Sequence, residues 1–345
     1  MKICILGATG LVGRETLELV ARAWPDASLD LYASRDQTLT LGDRQLPVRA
    51  ADRLEAADAE GGDLALVALD DAYSRRYVPR LLELGYRVVD KSNTYRMDPE
   101  VPLVVAGVNC ALLDGDTMLA ANPNCTTIPL ALAAAPLQRR FGLIRITASS
   151  YQAISGAGIG ALDGFLQSSR EAYAEADRLG AQLDPGGYVG NTVPHSGKTD
   201  DSGFSSEERK LMNESRKILS LPELPVSAQC CRVPVAVGHY INAWIELRDK
   251  VSLEEIAAVL QEEASAPFVR FFAGPAGEGL SALAGVHDRD RALVGRLRLD
   301  PRGGEGTALC MTVTADNLRL GAATNAVRMA SRWFPCADAD LRVPG

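Results

Sequence analysis

Seven cysteines, at positions 4, 110, 125, 230, 231, 310 and 336, and three histidines, at 195, 239 and 287, are the residues best suited to nucleophilic chemistry. Cys125 has the most informative neighbours. It follows the apolar stretch Met118–Ala121 and the turn Asn122-Pro123-Asn124, and an Ala-rich helical pattern reaching about Leu137 follows it. A thiol between a strand's carboxyl end and a helix N-terminus is stabilised as thiolate by the helix dipole and free N–H groups. The same position suits a buried structural cysteine. His239, next to Gly238, can serve a thiol as base or be structural. Arg232, in Cys231-Arg232-Val233-Pro234, offers a two-pronged fork to a carboxylate. Gln152 leads the small-residue run Ala153-Ile154-Ser155-Gly156-Ala157-Gly158; it could orient an acyl group, although alone the run is a Gly-rich turn. Glu207, Lys210 and Glu214 share one helical face, as a solvated ion-pair row or as charges aimed at a substrate. With no CxxC pair and only three histidines, no metal site is expected.

These groups need elements to position them. Lys2–Leu6 is a short β-forming run that meets Gly7, Gly10 and Gly13, after which Leu11, Leu17 and Val20 recur at helical spacing. A strand, a glycine turn and a helix present bare N–H groups to a pyrophosphate. The GxxGxxG spacing departs from GxGxxG. The next strand, Leu29–Ala33, ends in Ser34-Arg35, with Asp36 just beyond. A hydroxyl and a guanidinium suit a 2′-phosphate, so NADP(H) is expected rather than NAD. Further strands are predicted at Asp63–Leu69, Arg87–Asp90, Leu103–Val105 and Met118–Ala121, separated by helical or loop segments such as Tyr77–Leu84. Alternation of this kind predicts an α/β fold with a Rossmann-like, doubly wound parallel sheet. Leu143–Ser149 and Ile241–Leu247 are later strands; Ser205 and Glu208 predict a capping box, and Asp316-Asn317-Leu318-Arg319 opens the final helix, running to about Phe334.

The whole chain sets bounds on function. Its 345 residues suggest two domains. Thirty-six basic against 44 acidic residues give a net charge of −8, which argues against nucleic acid as partner. The odd cysteine count argues against a disulfide framework. The uncharged stretch Thr117–Gln138 contains three prolines and is not expected to span a membrane. The N-terminal apolar run is too short for a signal-peptide core, so a cytoplasmic location is expected.

Five segments in order resemble the aspartate-β-semialdehyde dehydrogenase family: Gly7-Ala8-Thr9-Gly10-Leu11-Val12-Gly13, Ala121-Asn122-Pro123-Asn124-Cys125, Tyr151-Gln152-Ala153 to Ser155-Gly156-Ala157-Gly158, Arg232-Val233-Pro234 to Gly238-His239, and Asp316-Asn317-Leu318-Arg319. The resemblance implies NADPH-dependent reductive dephosphorylation of L-aspartyl-4-phosphate to L-aspartate-4-semialdehyde through a cysteine thioester. That step leads to lysine, threonine, methionine and diaminopimelate. Carried over by motif, Cys125 would be the nucleophile, His239 the acid/base and Gln152 the acyl-orienting group. Arg232 would hold the α-carboxylate and Glu207 the amino group; Arg96 and Lys210 would bind phosphate, and Asn124 would complete the substrate site. Gly7, Thr9, Gly10, Leu11, Val12, Gly13, Ser34, Arg35, Ser155, Gly156 and Asn317 would contact NADP(H). The family implies a cofactor domain over residues 1–124 and 317–345, a second α+β domain over 125–316 for catalysis and dimerisation, and a homodimer or homotetramer. Inorganic phosphate would be the other small-molecule partner, without nucleic acid or membrane.

Three segments depart from the family's pattern. Asp70-Asp71-Ala72-Tyr73 replaces a loop of small residues, Ala106-Gly107-Val108-Asn109 replaces Pro-Glu-Val-Asn, and Asp90-Lys91-Ser92 replaces Asp-Asn-Ser/Thr. Two carboxylates beside bound phosphates would weaken cofactor binding unless they turn outward. The rival readings are a related reductase acting on N-acetylglutamyl phosphate or malonyl-CoA, and a non-catalytic paralogue. An N-acetylated substrate would leave Glu207 without an ammonium partner.

Overall fold

The computed structural model describes residues 1–174, 183–194, 198–263, 266–274, 276–303 and 307–343. His195 lies outside them. The elements are β1 (Lys2–Leu6), α1 (Leu11–Ala23), β2 (Ser28–Ala33), β3 (Gln37–Leu41), β4 (Arg44–Ala50), β5 (Leu64–Val67), α2 (Asp71–Glu83), β6 (Arg87–Asp90), β7 (Leu119–Ala121), α3 (Thr127–Phe141), β8 (Leu143–Gln152), α4 (Ile159–Ala174), β9 (Val193–Pro194), α5 (Ser206–Ile218), β10 (Val226–Arg232), β11 (His239–Leu247), α6 (Leu253–Glu263), β12 (Val269–Phe272), α7 (Ala282–His287), β13 (Ala292–Leu299), β14 (Ala308–Ala315) and α8 (Asn325–Ser331). They form two compact units, Met1–Asn124 with Gly321–Gly345, and Cys125–Leu320.

The first unit is built on a seven-stranded sheet ordered β3-β4-β2-β1-β5-β6-β7. Its strands run parallel except β3, which pairs antiparallel with β4. The central strands β1 and β5 are almost wholly apolar because both sheet faces are covered there; Ile3, Cys4, Ile5, Leu6 and Leu64 to Val67 are fully buried. The β3–β4 hairpin went unread in the sequence. It turns at Gly42-Asp43, and only Leu39, Leu46 and Val48 face inward among polar neighbours, so its pattern is that of an exposed edge.

Two other expectations change. Leu103–Val105 makes one bridge, Leu103 to Ala121, rather than a strand. Val104 C=O and Ala106 N–H, which would continue the ladder beside β7, pair instead with the Asn325 amide, and Asn109 takes Val105 N–H and Leu103 C=O on the other edge. The segment Tyr77–Leu84, left open between helix and loop, is mostly helix and belongs to α2, which begins at Asp71 because the Asp70 carboxylate caps it at the N–H groups of Ala72 and Tyr73.

The second unit carries a mixed sheet ordered β12-β13-β14-β11-β8-β10-β9. Helices α3, α5 and α6 pack on it. The alternate residues Thr147, Ser149, Tyr151, Ser227, Gln229 and Trp244 stay at least partly exposed and line a groove of about 550 Å³. Among the described residues no helix is long and apolar enough to cross a membrane.

Candidate active site

In the second unit, β8 and β10 run parallel and end side by side, with Gln152 opposite Arg232. Strand β11 runs antiparallel to β8 and pairs Tyr240 with Tyr151, so His239 enters at the same end. Three strand termini therefore bring Gln152, Arg232 and His239 together. All three are buried. Cys125 stands two residues before α3 and keeps partial exposure; its Sγ lies 3.2 Å from His239 Nε2. The other ring nitrogen, Nδ1, accepts from the backbone N–H of Ala153 at 3.0 Å.

The small-residue run after β8 explains its composition at Gly156. A Cβ there would lie 2.9 Å from Arg232 Nη1 and 3.5 Å from His239 Cε1, so glycine lets the backbone approach both side chains closely. Ile154 and Ser155 donate their N–H groups to Val235 and Ala236 C=O, tying this turn to the segment before His239. Asn317 is buried; its amide donates to Ser155 Oγ at 3.0 Å and accepts from Gly238 N–H at 2.9 Å.

Glu207 and Lys210 lie on α5, which opens with the capping box of Ser205 and Glu208. Lys210 Nζ and Glu207 Oε2 are 3.1 Å apart. Glu207 and Glu214 are both buried, so this face of α5 is turned to protein rather than to solvent.

The seven thiols divide by environment. Burial pushes Cys4, Cys231, Cys310 and Cys336 up, Cys110 to about 11 and Cys230 to about 12. Thiols so raised hold their protons at neutral pH and are poor nucleophiles. Cys230 and Cys231 are both free.

In the first unit, Gly7 has φ +89° and a Cβ on Gly13 would lie 2.0 Å from Gly7 O, so the turn has no room for side chains. Thr9, Gly10, Leu11 and Val12 are partly exposed around it. No side chain caps α1, and its first turn carries no acidic residue. Such an N-terminus fits a pyrophosphate. Ser34 and Arg35 are exposed at the carboxyl end of β2. Asp36 is turned aside, accepting from Ala50 N–H at 2.7 Å and pairing with Arg53.

Asp70 caps α2, and Asp71 accepts from Asn93 N–H at 2.8 Å. Both carboxylates are thus occupied by backbone donors. Arg96 is buried and donates to Asn122 C=O at 3.0 Å and Lys91 C=O at 2.7 Å, joining the ends of β7 and β6. Asn124 is buried. Lys91 Nζ donates to Thr16 Oγ1 at 2.8 Å, and burial pulls this ammonium down to about 7, with Asp90 opposing. Asn325 in α8 holds the approach to the Asn-Pro-Asn turn: its amide donates to Val104 C=O and Asn122 Oδ1, and its oxygen accepts from Ala106 N–H.

Ser150 and Asn325 were given no part in the sequence reading, and Lys91 and Ala153 entered it only as members of Asp90-Lys91-Ser92 and of the run after Gln152. Ser150 Oγ accepts from Gln152 Nε2 at 3.1 Å; two-residue spacing on one strand was the available signal. Asn325 acts across more than 200 residues and left none.

The comparisons agree over nearly the whole chain. Residues 2–115 match the semialdehyde dehydrogenase NAD-binding domain, and residues 134–320 the semialdehyde dehydrogenase dimerisation domain. An aspartate-semialdehyde dehydrogenase of Mycolicibacterium smegmatis is 37% identical, with 96% of this chain and 98% of that protein covered. One from Aquifex aeolicus is 36% identical, covering 95% and 96%. The crystal structure of aspartate semialdehyde dehydrogenase II from Vibrio cholerae, complexed with ASA, superposes with TM-score 0.85 at 29% identity, covering 96% and 97%. The Candida albicans enzyme with NADP gives TM-score 0.69 at 25% identity, covering 95% and 97%.

Proposed function

The chain belongs to the aspartate-semialdehyde dehydrogenase family, and from that membership we propose how its own residues divide the work. The activity is the reductive dephosphorylation of L-aspartyl 4-phosphate to L-aspartate 4-semialdehyde. The observation that carries the assignment of roles is the 3.2 Å approach of Cys125 Sγ to His239 Nε2 beside Gln152 and Arg232.

Cys125 attacks the acyl carbon, and phosphate leaves as the thioester forms. Covalent catalysis splits one hard step into two easier ones. Gln152 orients the acyl oxygen, its amide steadied by Ser150. Arg232 holds the α-carboxylate, and Glu207 holds the α-ammonium. Lys210 and Arg96 bind the phosphate, and Asn124, next to the nucleophile, completes the substrate site. The Glu207–Lys210 pair keeps both charges in place before substrate arrives. His239 handles the proton at Cys125.

The glycine turn fits the pyrophosphate of a dinucleotide, with Thr9, Gly10, Leu11 and Val12 around it. When bound, the dinucleotide supplies the hydride equivalent that takes the acyl group to the aldehyde level. Ser34 and Arg35 select NADP(H), since Asp36 is held away by Ala50 and Arg53 and does not oppose a 2′-phosphate. Ser155 and Gly156 contribute to cofactor binding, and Asn317 holds Ser155 in place.

We further propose a homodimer formed through the second unit. Its exposed sheet face carries Tyr151 and Trp244, and α4 exposes Ile159, Leu166 and Tyr173 at seven-residue spacing. Apolar residues repeated along one helix face mark a partner surface.

The test is NADP⁺ reduction by the purified protein with aspartate semialdehyde, with and without inorganic phosphate. Phosphate-dependent reduction is expected. Activity on N-acetylglutamate semialdehyde or a CoA-dependent aldehyde instead would replace the proposed substrate.

A further inference from the structure

We infer that Lys91 supplies, from inside the fold, a positive charge to the pyrophosphate of the dinucleotide that the glycine turn accepts. The inference rests on the reading of that turn as the cofactor site. Lys91 stands just past β6, where the family's pattern has an asparagine. Its backbone is pinned twice: the N–H donates to Val67 C=O at 3.1 Å, and the C=O accepts from Arg96 Nη2 at 2.7 Å. Ala68 N–H in turn meets Leu6 C=O at 2.8 Å, so Lys91 starts level with the carboxyl end of β1, where the glycine turn begins. Open α/β sheets take their ligands at those strand ends.

The side chain crosses from there to α1. Nζ donates to Thr16 Oγ1 at 2.8 Å, and the Thr16 hydroxyl donates to Val12 C=O at 2.7 Å, in the first turn of the helix. The ammonium therefore lies beside the first two turns: Thr16 is five residues past Leu11, about 7.5 Å down the axis. This is an unfavourable place for a cation, since the helix dipole is positive at that end. No carboxylate offsets it. The first turn of α1 holds no acidic residue, and Arg14 adds a further cation there, donating to Thr9 C=O at 3.1 Å. Asp90, the adjacent residue, is buried and engages its oxygens with the hydroxyls of Ser74 and Ser92, at 2.8 and 2.5 Å. An ammonium has three protons to donate. Among the described residues Thr16 is the one hydrogen-bond acceptor of Nζ, and no carboxylate pairs with it.

Positive charge gathered without a protein anion is complementary to an anion from outside. Burial holds the Lys91 ammonium down, with Asp90 opposing, so the empty protein is destabilised by keeping it. A phosphate anion nearby favours the charged form and relieves that penalty on binding. A purely structural role leaves the charge without a reason: a methionine would fill the same space with no ammonium to dehydrate. Loss of stability accepted at one position for the sake of a site is the usual trade between fold and function.

The experiment is titration calorimetry on the intact protein with two probes: ADP-ribose, which has the pyrophosphate and no 2′-phosphate, and 2′-AMP, which has the 2′-phosphate and no pyrophosphate. Lys91→Met keeps the stem and removes the charge. It is expected to weaken ADP-ribose about tenfold, the scale of one charge acting over several ångströms at a dielectric between those of protein surface and water, and to leave 2′-AMP within about twofold. NADP⁺ should follow ADP-ribose. Lys91→Gln, neutral but polar, should match Lys91→Met, and thermal melts of both show that they fold. Unchanged ADP-ribose affinity in a cooperatively melting variant overturns the inference. An equal loss for 2′-AMP overturns it too, since the effect would then be a general distortion. The underlying reading fails differently: wild-type protein that binds 2′-AMP but not ADP-ribose would remove the glycine turn as a pyrophosphate site, and the part of Lys91 with it.

Discussion

At the scale of the residue, a single thiol is set apart from six others by what surrounds it. Burial raises the six; partial exposure is shared by Cys125 and Cys231, and what marks Cys125 is the ring nitrogen at its sulfur. Cys125→Ala is therefore expected to abolish turnover, with NADPH binding retained; the measurement is single-turnover kinetics beside fluorescence titration of the nucleotide. At the cofactor end, Arg35→Ala is expected to weaken NADPH by more than tenfold and NADH by little, in line with loss of a charge-assisted phosphate contact; equal losses for both would move the 2′-phosphate elsewhere. Lys91 gives a prediction of a different kind. Its ammonium is lowered from 10.5 to about 7, so between those pH values the unfolded chain binds a proton that the folded one does not. Stability from this group consequently rises with pH across that window, and its penalty is full at pH 7 and below. Lys91→Met is expected to raise Tm at pH 7, by about 2–4 °C for each kcal/mol recovered, and the gain should shrink in melts taken toward pH 10. Cys125, His239 and Arg232 were legible because their types are rare and their neighbours distinctive. The contact of Ala153 with His239 was not, since it is made by a backbone N–H.

At the scale of the element, legibility followed burial. Strands β1 and β6 hold buried aliphatic runs, Ile3 to Leu6 and Val88-Val89, bounded by charged residues, and their ends agree with the sequence reading. The hairpin β3–β4 hides because an edge strand must look like surface. The run Leu103–Val105 misleads for the opposite reason: it is apolar and buried, yet the amides of Asn325 and Asn109 take the backbone groups on its two edges that would extend a strand. The final helix starts differently from its pattern too, winding as a π-helix over Arg319–Thr324 before α8. Helix α5 is the clearest case of local sequence deciding structure. Ser205 accepts from Glu208 N–H, and Glu208 accepts from Ser205 N–H at 2.7 Å. Glu208 also accepts from Cys230 N–H, linking the helix start to β10. Ser205→Ala is expected to lower stability by about 1 kcal/mol. Because α5 carries Glu207 and Lys210, KM for the acyl substrate should rise as well; urea melts and steady-state kinetics on one preparation would read both.

At the scale of the whole molecule, charge and composition restricted the partners, while the surfaces specify more. The exposed sheet face of the second unit and the apolar stripe of α4 predict self-association. The protein is expected to run at twice its chain mass in light scattering at micromolar concentration, and Trp244→Asp with Leu166→Asp should shift it to the monomer; a monomeric wild type would refute the proposed dimer. Nothing in the linear pattern could give these faces, because exposure of an apolar residue depends on which neighbours the fold leaves uncovered.

The amide of Asn325 reaches back to Val104, Ala106 and Asn122 within a unit whose two stretches of chain are separated by the whole of the other. Read in the direction of protein synthesis, this fixes a timetable. Residues 125–320 can collapse as they emerge, being continuous, but the segment leading to Asn-Pro-Asn-Cys lacks its buried support until α8 has left the ribosome. A message cut short before codon 325 is thus expected to yield a product whose first unit is open to proteases while residues 125–320 resist them.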